Sequence, residues 1–262
     1  MSESRTLTVA VAQIKVSEDI AANHVAILDA TRGAAARGAR VVLFPETALT
    51  GYSPAIGHGR EPAEWPAIKA CLAEMAALAR ELSIWVVVGS EVWTGDAWVN
   101  RLCAYSDGGK LAAVYDKVHL MRADRLYYRP GKHHTLFEID GVRVGLQICY
   151  DARFPEGYRS LLHRGVEVIL QGFYGAGGPT WKVPVLGAHL RSRAAESGCF
   201  VVAANVSGPL QIVHSQIVDP LGLLLVEAEE DREDLILADL HLARVAESEI
   251  RADYLTYHRA EH

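Results

Sequence analysis

Apolar residues recur along this chain with two alternating periods. Leu7, Val9 and Val11 occupy every second position of Thr6–Ile14, which predicts a strand with one face turned to a core. The stretch that follows carries Ile20, Ile27 and Leu28 and predicts a helix, with Ser17 as its cap and an end near Gly38. Arg40–Phe44 reads as a short buried strand stopped by Pro45. A helix over about Trp65–Leu82 and a strand over Ile84–Val92 repeat the alternation.

The middle of the chain changes character. Val99–Tyr105, Lys110–Tyr115, Thr135–Ile139 and Val142–Ile148 predict short strands, with hairpin turns at Asp107-Gly-Gly109 and Asp140-Gly141. Between the second and third of these lies Lys117–His134, a strand-poor loop long enough to suggest a function. Alternation then resumes with a helix near Pro155–Arg164, a strand at Val166–Leu170, a helix near Trp181–Ser197 and a strand at Phe200–Asn205. Two further strands and a last helix near Leu242–Ile250 complete the pattern. The charged run Glu227–Asp234 fits a solvated loop between two strands. With no internal repeat or low-complexity linker, residues 1–262 read as a single layered α/β domain of mixed strands, its sheet faces covered by helices.

Composition narrows the function classes. Of 262 residues, 50% are hydrophobic and 22% charged, as in soluble globular proteins. A net charge of −6 argues against nucleic acid and anionic membranes as partners, since both favour a basic face. No apolar run approaches the roughly 20 residues of a membrane span. Met1–Arg5 lacks the pattern of a secretory signal. Four well-separated cysteines, with no Cys/His pair at zinc spacing, fit free thiols in a cytoplasmic protein without a structural metal. Adjacent His133 and His134 likewise make a poor metal site, and Gly175–Gly178 lacks the third glycine of a dinucleotide loop.

Three reactive side chains directly follow buried strands, the position where α/β sheets gather their ligand sites. Glu46 follows Arg40–Pro45, Lys117 follows the strand ending at Tyr115, and Cys149 follows Val142–Ile148. Strand alternation puts Cys149 on one face with Gly145 and Gln147, and the glycine is expected to leave space beside the thiol. Alone, each of the three has an ordinary explanation: a cap, a solvated amine, a core thiol. Together they supply a base, a positive group that lowers a thiol pKa and holds an oxyanion, and a nucleophile.

The segments Leu43–Tyr52 (LFPETALTGY), Tyr115–Leu120 (YDKVHL) and Gly145–Glu156 (GLQICYDARFPE) resemble the three signature blocks of the nitrilase superfamily of carbon–nitrogen hydrolases. Arg129-Pro-Gly131, Arg193–Glu196, Ala204-Asn205 and Ser215–Pro220 extend the resemblance over nearly the whole chain. It implies a four-layer αββα sandwich that commonly pairs into a homodimer, acting on a small-molecule amide without cofactor or metal. It also implies roles: Glu46 as general base, Cys149 as nucleophile forming a thioester, and Lys117 with the Tyr150 backbone N–H as oxyanion donors.

Departures and details refine the expectation. Many relatives carry a second glutamate in the loop; aligning on Arg129-Pro-Gly131 puts Asp124 there, one methylene shorter and expected to reach less far towards Lys117. It is either a retained, retuned carboxylate or a surface residue of a charged loop. The residues after Cys149 resemble the branch containing omega-amidase and deaminated-glutathione amidase. In that branch the residue matching Arg153 is implied to hold a substrate carboxylate, which a planar guanidinium binds bidentately. Pairing of Arg153 with Asp151 or Glu156 is the plain structural alternative. Tyr52, Tyr128 and Tyr174 are candidate pocket walls. The expected activity is hydrolysis of a small aliphatic ω-amide. The alternatives are an N-carbamoyl hydrolase and a catalytically weak binding or regulatory member.

Overall fold

The computed structural model of the chain describes residues 5–179 and 181–257. The expectation about Met1–Arg5 falls almost wholly outside them, as does Thr180 in the discarded glycine loop. Among the described residues, twelve strands build two sheets. The first contains β1 (Thr6–Gln13), β2 (Val41–Leu43), β3 (Trp85–Trp93), β4 (Trp98–Tyr105), β5 (Leu111–Asp116) and β12 (Asp234–His241), in the order β12-β1-β2-β3-β4-β5. The second contains β6 (Leu136–Ile139), β7 (Val142–Ile148), β8 (Val168–Gly172), β9 (Phe200–Ala204), β10 (Gln216–Val218) and β11 (Leu224–Glu227), in the order β11-β10-β9-β8-β7-β6.

Each sheet has three parallel strands at its centre and antiparallel strands at its edges. In the first, Val9 lies beside Val41 and Val41 beside Trp85; in the second, Val144 lies beside Val168 and Val168 beside Phe200. The parallel strands are nearly continuous in Val, Ile and Leu because both of their faces are covered. Turn chemistry sets the hairpins: Asp140 and Gly141 both have positive φ, at 49° and 76°, the two-residue turn that suits the strand twist.

Helices α1 (Ile20–Ala36) and α3 (Trp65–Leu82) cover the first sheet; a one-turn α2 (Ser53–Ile56) lies between them in sequence. Ile68, Leu72, Met75 and Ala79 recur at helical spacing on α3 and bury against Val42, Phe44, Val86 and Val88. Each such Leu or Met side chain contributes about 1.5–3 kcal/mol. Helices α4 (Pro155–His163) and α5 (Lys182–Ser197) serve the second sheet, where Leu161, Leu190 and Ala194 join the cluster that also links the two sheets through Val9, Val11, Leu43 and Val87. The order is helices, sheet, sheet, helices. The chain closes with α6 (Ala243–Ala246) and α7 (Glu249–Tyr257).

Several sequence expectations change. The cap of α1 is Asp19, whose carboxylate accepts from the N–H groups of Ala21 and Ala22; Ser17 instead supports Asp19 itself. Three strands rather than two follow β9, since β10 has only three residues and shows no period to read. An added Cβ at Gly145 would meet Leu161 Cδ1 at 2.8 Å and Val166 Cγ2 at 3.2 Å. The space at Gly145 is filled by this packing and is not beside the thiol.

Candidate active site

Glu46, Lys117 and Cys149 all lie just beyond strand ends, and the local backbone explains why they converge. Cys149 leaves β7 in a positive-φ conformation (43°) and starts a 3₁₀ turn, Cys149–Arg153. Strand alternation therefore stops before it. A non-glycine residue held there costs on the order of 1–3 kcal/mol, so the surroundings must enforce it. They do so through Asp151, a buried carboxylate that accepts from Ile148 N (3.0 Å), His119 N (2.9 Å), His119 Nδ1 (2.7 Å) and the Tyr115 hydroxyl (2.9 Å). One side chain thus ties the nucleophile turn to the segment after Lys117. The carbonyl oxygens of Cys149 and Ala152 are held by Gln171 Nε2 (3.3 Å) and Arg193 Nε (3.1 Å).

Glu46 sits where the chain leaves β2 and passes against the end of β8 in the second sheet. Its backbone N–H donates to the Phe173 carbonyl at 3.2 Å. Two glycines admit this close approach. A Cβ at Gly89 would lie 2.2 Å from the Pro45 carbonyl oxygen, and one at Gly172 would lie 2.8 Å from Glu46 N. The Glu46 side chain is fully buried. Its Oε1 accepts from Lys117 Nζ (2.7 Å) and Asn100 Nδ2 (2.7 Å), and its Oε2 from Tyr174 N (2.9 Å).

Lys117 continues β5, with its N–H on the Asn100 carbonyl (2.9 Å) and its own carbonyl accepting from Gly131 N (2.8 Å). Its ammonium is clamped between Glu46 and Asp124, the latter at 2.8 Å. Asp124 is fully buried, not a surface residue. Its shorter side chain reaches Lys117 because a 3₁₀ turn, Asp124–Leu126, brings its backbone inward. Met121 N (2.9 Å) and the Tyr52 hydroxyl complete its partners.

The charges of Glu46, Asp124 and Lys117 sum to −1, and this reverses one sequence expectation. Burial raises the Cys149 thiol well above its ordinary pKa, and the Glu46 carboxylate raises it further; Lys117 opposes them without prevailing. The resting group is a thiol rather than a thiolate. Glu46 is itself raised, first by burial and then by Asp124 against the pull of Lys117. Burial alone would lower the Lys117 pKa, but Glu46, Cys149 and Asp124 raise it, so the ammonium stays charged.

Above Cys149 opens a cavity of about 270 Å³. The nucleophile turn lines it with Cys149, Tyr150 and Arg153, the Lys117–His134 loop with Met121, and the α5 region with Trp181, Lys182 and Leu186; Ile212 completes it. Asp151 is occupied as described, so Arg153 does not pair with it, and no ion pair of Arg153 exists among the described residues. Tyr52, Tyr128 and Tyr174 are not in this lining. Tyr52 and Tyr174 pack with ring centroids 5.0 Å apart, and Lys117 Nζ lies 5.8 Å from the Tyr52 ring. Tyr128 donates to the buried Glu91 and borders a larger, adjoining groove with His119, Arg122 and Arg125. Sequence reasoning missed Asn100, Glu91 and Lys182, and it named Asp151 only as a partner for Arg153. A buried polar residue inside an apolar strand was the available signal for Asn100.

Comparison with known proteins identifies the family. The chain matches the carbon–nitrogen hydrolase family over residues 8–249. It is 31% identical to a Mycobacterium tuberculosis protein named as a hydrolase, over 92% of this chain and 91% of that one. It is 30% identical to a 2-oxoglutaramate amidase of Bacillus subtilis, over 80% and 81% of the two chains. The structure resembles that of a nitrilase-superfamily amidase from Nesterenkonia sp. AN1 carrying the acetamide moiety of fluoroacetamide on its active-site cysteine. The TM-score is 0.80 at 25% identity, covering 98% of both chains. With the family matched over residues 8–249 and the two-sheet sandwich in place, the chain belongs to the carbon–nitrogen hydrolase family, enzymes that act on carbon–nitrogen bonds other than peptide bonds.

Proposed function

We propose that this protein is an amidase that hydrolyses a short aliphatic ω-amide bearing a carboxylate, releasing ammonia through a thioester on Cys149. The observation that carries the proposal is the buried cluster in which Lys117 is fixed between Glu46 and Asp124, with the Cys149 thiol in the field of all three. Glu46 takes the thiol proton as sulfur attacks the amide carbon. An ammonium has three N–H donors, and Lys117 commits two of them to carboxylates. The third is available to the developing oxyanion together with the Tyr150 backbone N–H. The proton on Glu46 passes to the departing nitrogen, and ammonia leaves. Water then gives a proton to Glu46 and its oxygen to the thioester carbon; the carboxylic acid departs and the thiol is restored.

Arg153 at the cavity wall supports a carboxylate on the acyl chain, and the names of the amidase relatives support the amide class. A homodimer and a cytoplasmic location belong to the same proposal; among the described residues, no helix is long and apolar enough to cross a membrane. The test is ammonia release from a series of two- to six-carbon amides, with and without a terminal carboxylate. The expected result is preference for the carboxylated members and complete loss in Cys149→Ala. Equal rates on both sets would remove the carboxylate, and release by Cys149→Ala at the parent rate would remove the mechanism.

A further inference from the structure

The cavity over Cys149 has two cations in its wall and no carboxylate. Arg153 comes from the nucleophile turn, and Lys182 from the first residue of α5. Most other cations around the site are spoken for: Lys117 by Glu46 and Asp124, Arg193 by Glu196 and the Ala152 carbonyl, Arg60 by Glu64 and Glu91. Lys182 differs. Its ammonium lies 6.0 Å from the Trp181 ring, and no acidic side chain among the described residues pairs with it. The buried cluster of Glu46, Asp124 and Lys117 carries a net negative charge that would repel an anionic substrate. Two cations in the wall of the cavity that reaches Cys149 provide a compensating field.

We infer that Lys182 is a specificity-determining residue: together with Arg153 it makes the cavity accept a small acyl chain ending in a carboxylate, so that anionic amides are selected over neutral ones. The division of labour follows from the chemistry of the two groups. The Arg153 fork fixes the direction of the carboxylate plane, and the Lys182 ammonium adds charge without a demand on geometry. Met121, Leu186 and Ile212 give the acyl methylenes an apolar surface. At about 30 Å³ for each water-sized group, the cavity holds on the order of nine such groups, which suits a chain of four to six carbons.

This inference rests on the amidase reading above, and the experiment separates the two. Lys182→Met and Arg153→Met are compared with the parent on a carboxylated amide and on its neutral analogue of equal length. Lys182→Met is expected to lower kcat/KM for the carboxylated amide about 10-fold through KM, the worth of one charge-assisted contact, and to leave the neutral amide within about two-fold. Lys182→Arg should keep most of the preference, and the parent's preference should weaken with added salt more than that of Lys182→Met. If Arg153→Met loses the preference and Lys182→Met keeps it, the Lys182 assignment is overturned and the carboxylate reading stands. If neither variant alters a preference that the parent shows, the assignments of Lys182 and Arg153 both fall and the carboxylate reading stands; if the parent releases ammonia with no preference, the carboxylate reading falls with them and the amidase reading stands. If Lys182→Met slows both substrates equally, its role is structural and the inference is wrong.

Discussion

Glu46 is positioned by backbone against backbone, so a single methyl group on the facing strand should disable the enzyme without unfolding it. Gly172 ends β8 beneath the Glu46 turn. A Cβ there would lie 2.8 Å from Glu46 N, 3.2 Å from the Pro45 carbonyl carbon and 3.3 Å from Leu102 Cδ2. Two of these three are main-chain atoms, which cannot turn aside as a side chain does. Restoring ordinary contact requires the turn and the strand to separate by at least about 0.6 Å. Displacement on that scale misplaces the Glu46 carboxylate relative to Lys117 and Cys149 and is expected to lower kcat in Gly172→Ala by about 10- to 100-fold. Overpacking of this kind costs about 1–3 kcal/mol, a fall in Tm of roughly 2–4 °C per kcal/mol for a chain of this size. Ammonia release under saturating substrate gives kcat, and thermal unfolding gives Tm. Gly187→Ala is the control, because its Cβ would meet nothing within 4 Å. A Gly172→Ala protein with the parent's kcat would refute the reasoning, as would an equal loss in the control.

Other consequences follow from the same cluster. The base must be ionised, so kcat/KM should fall as pH drops through a Glu46 value held above the usual carboxylate range by burial and by Asp124. Asp124→Asn removes one of those raising influences and should move the acid limb of the pH profile to lower pH; an upward move would contradict the assignment. Asp124 already reaches Lys117 at 2.8 Å and is fully partnered, so Asp124→Glu should be slower and less stable by about 1–3 kcal/mol rather than improved. Tyr52→Phe strips one donor from that buried carboxylate, and a loss of about 1–3 kcal/mol in denaturant unfolding is expected. Asp151→Asn faces a donor nitrogen towards groups that themselves donate; excess substrate should not restore its kcat, because the nucleophile turn itself is loosened.

Much of this was legible in the sequence, for reasons that differ between elements. The period-two placing of Leu7, Val9 and Val11 on β1 comes from their packing towards the second sheet while small Ala10 and Ala12 pack on the other face, and the amphipathic spacing of α3 comes from burial on one side. The strand-end positions of Glu46, Lys117 and Cys149 were visible because a proline or a polar residue interrupts an apolar run. Charge balance was not visible. Whether Lys117 lowers the thiol depends on two carboxylates 71 and seven positions away from it, one of which enters only through the local 3₁₀ turn at Asp124. Nor did the alternation of β7 extend to Cys149, since positive φ breaks the period at that residue. Lys182 gave no signal at all: a lysine at a helix start is ordinary, and only the cavity gives it a context.

The most direct measurement is the mass of the enzyme during turnover. A slow carboxylated amide is mixed with the protein, quenched in acid within the first turnovers, and digested. The peptide containing Cys149 is predicted to gain the mass of the substrate less ammonia, and the adduct should vanish on brief treatment with hydroxylamine. Cys103 and Cys199, whose buried thiols are pushed up to about 12, and Cys71 should remain unmodified. Ammonia release with no adduct on Cys149 under conditions that trap a thioester, or an adduct on another cysteine, would contradict the account.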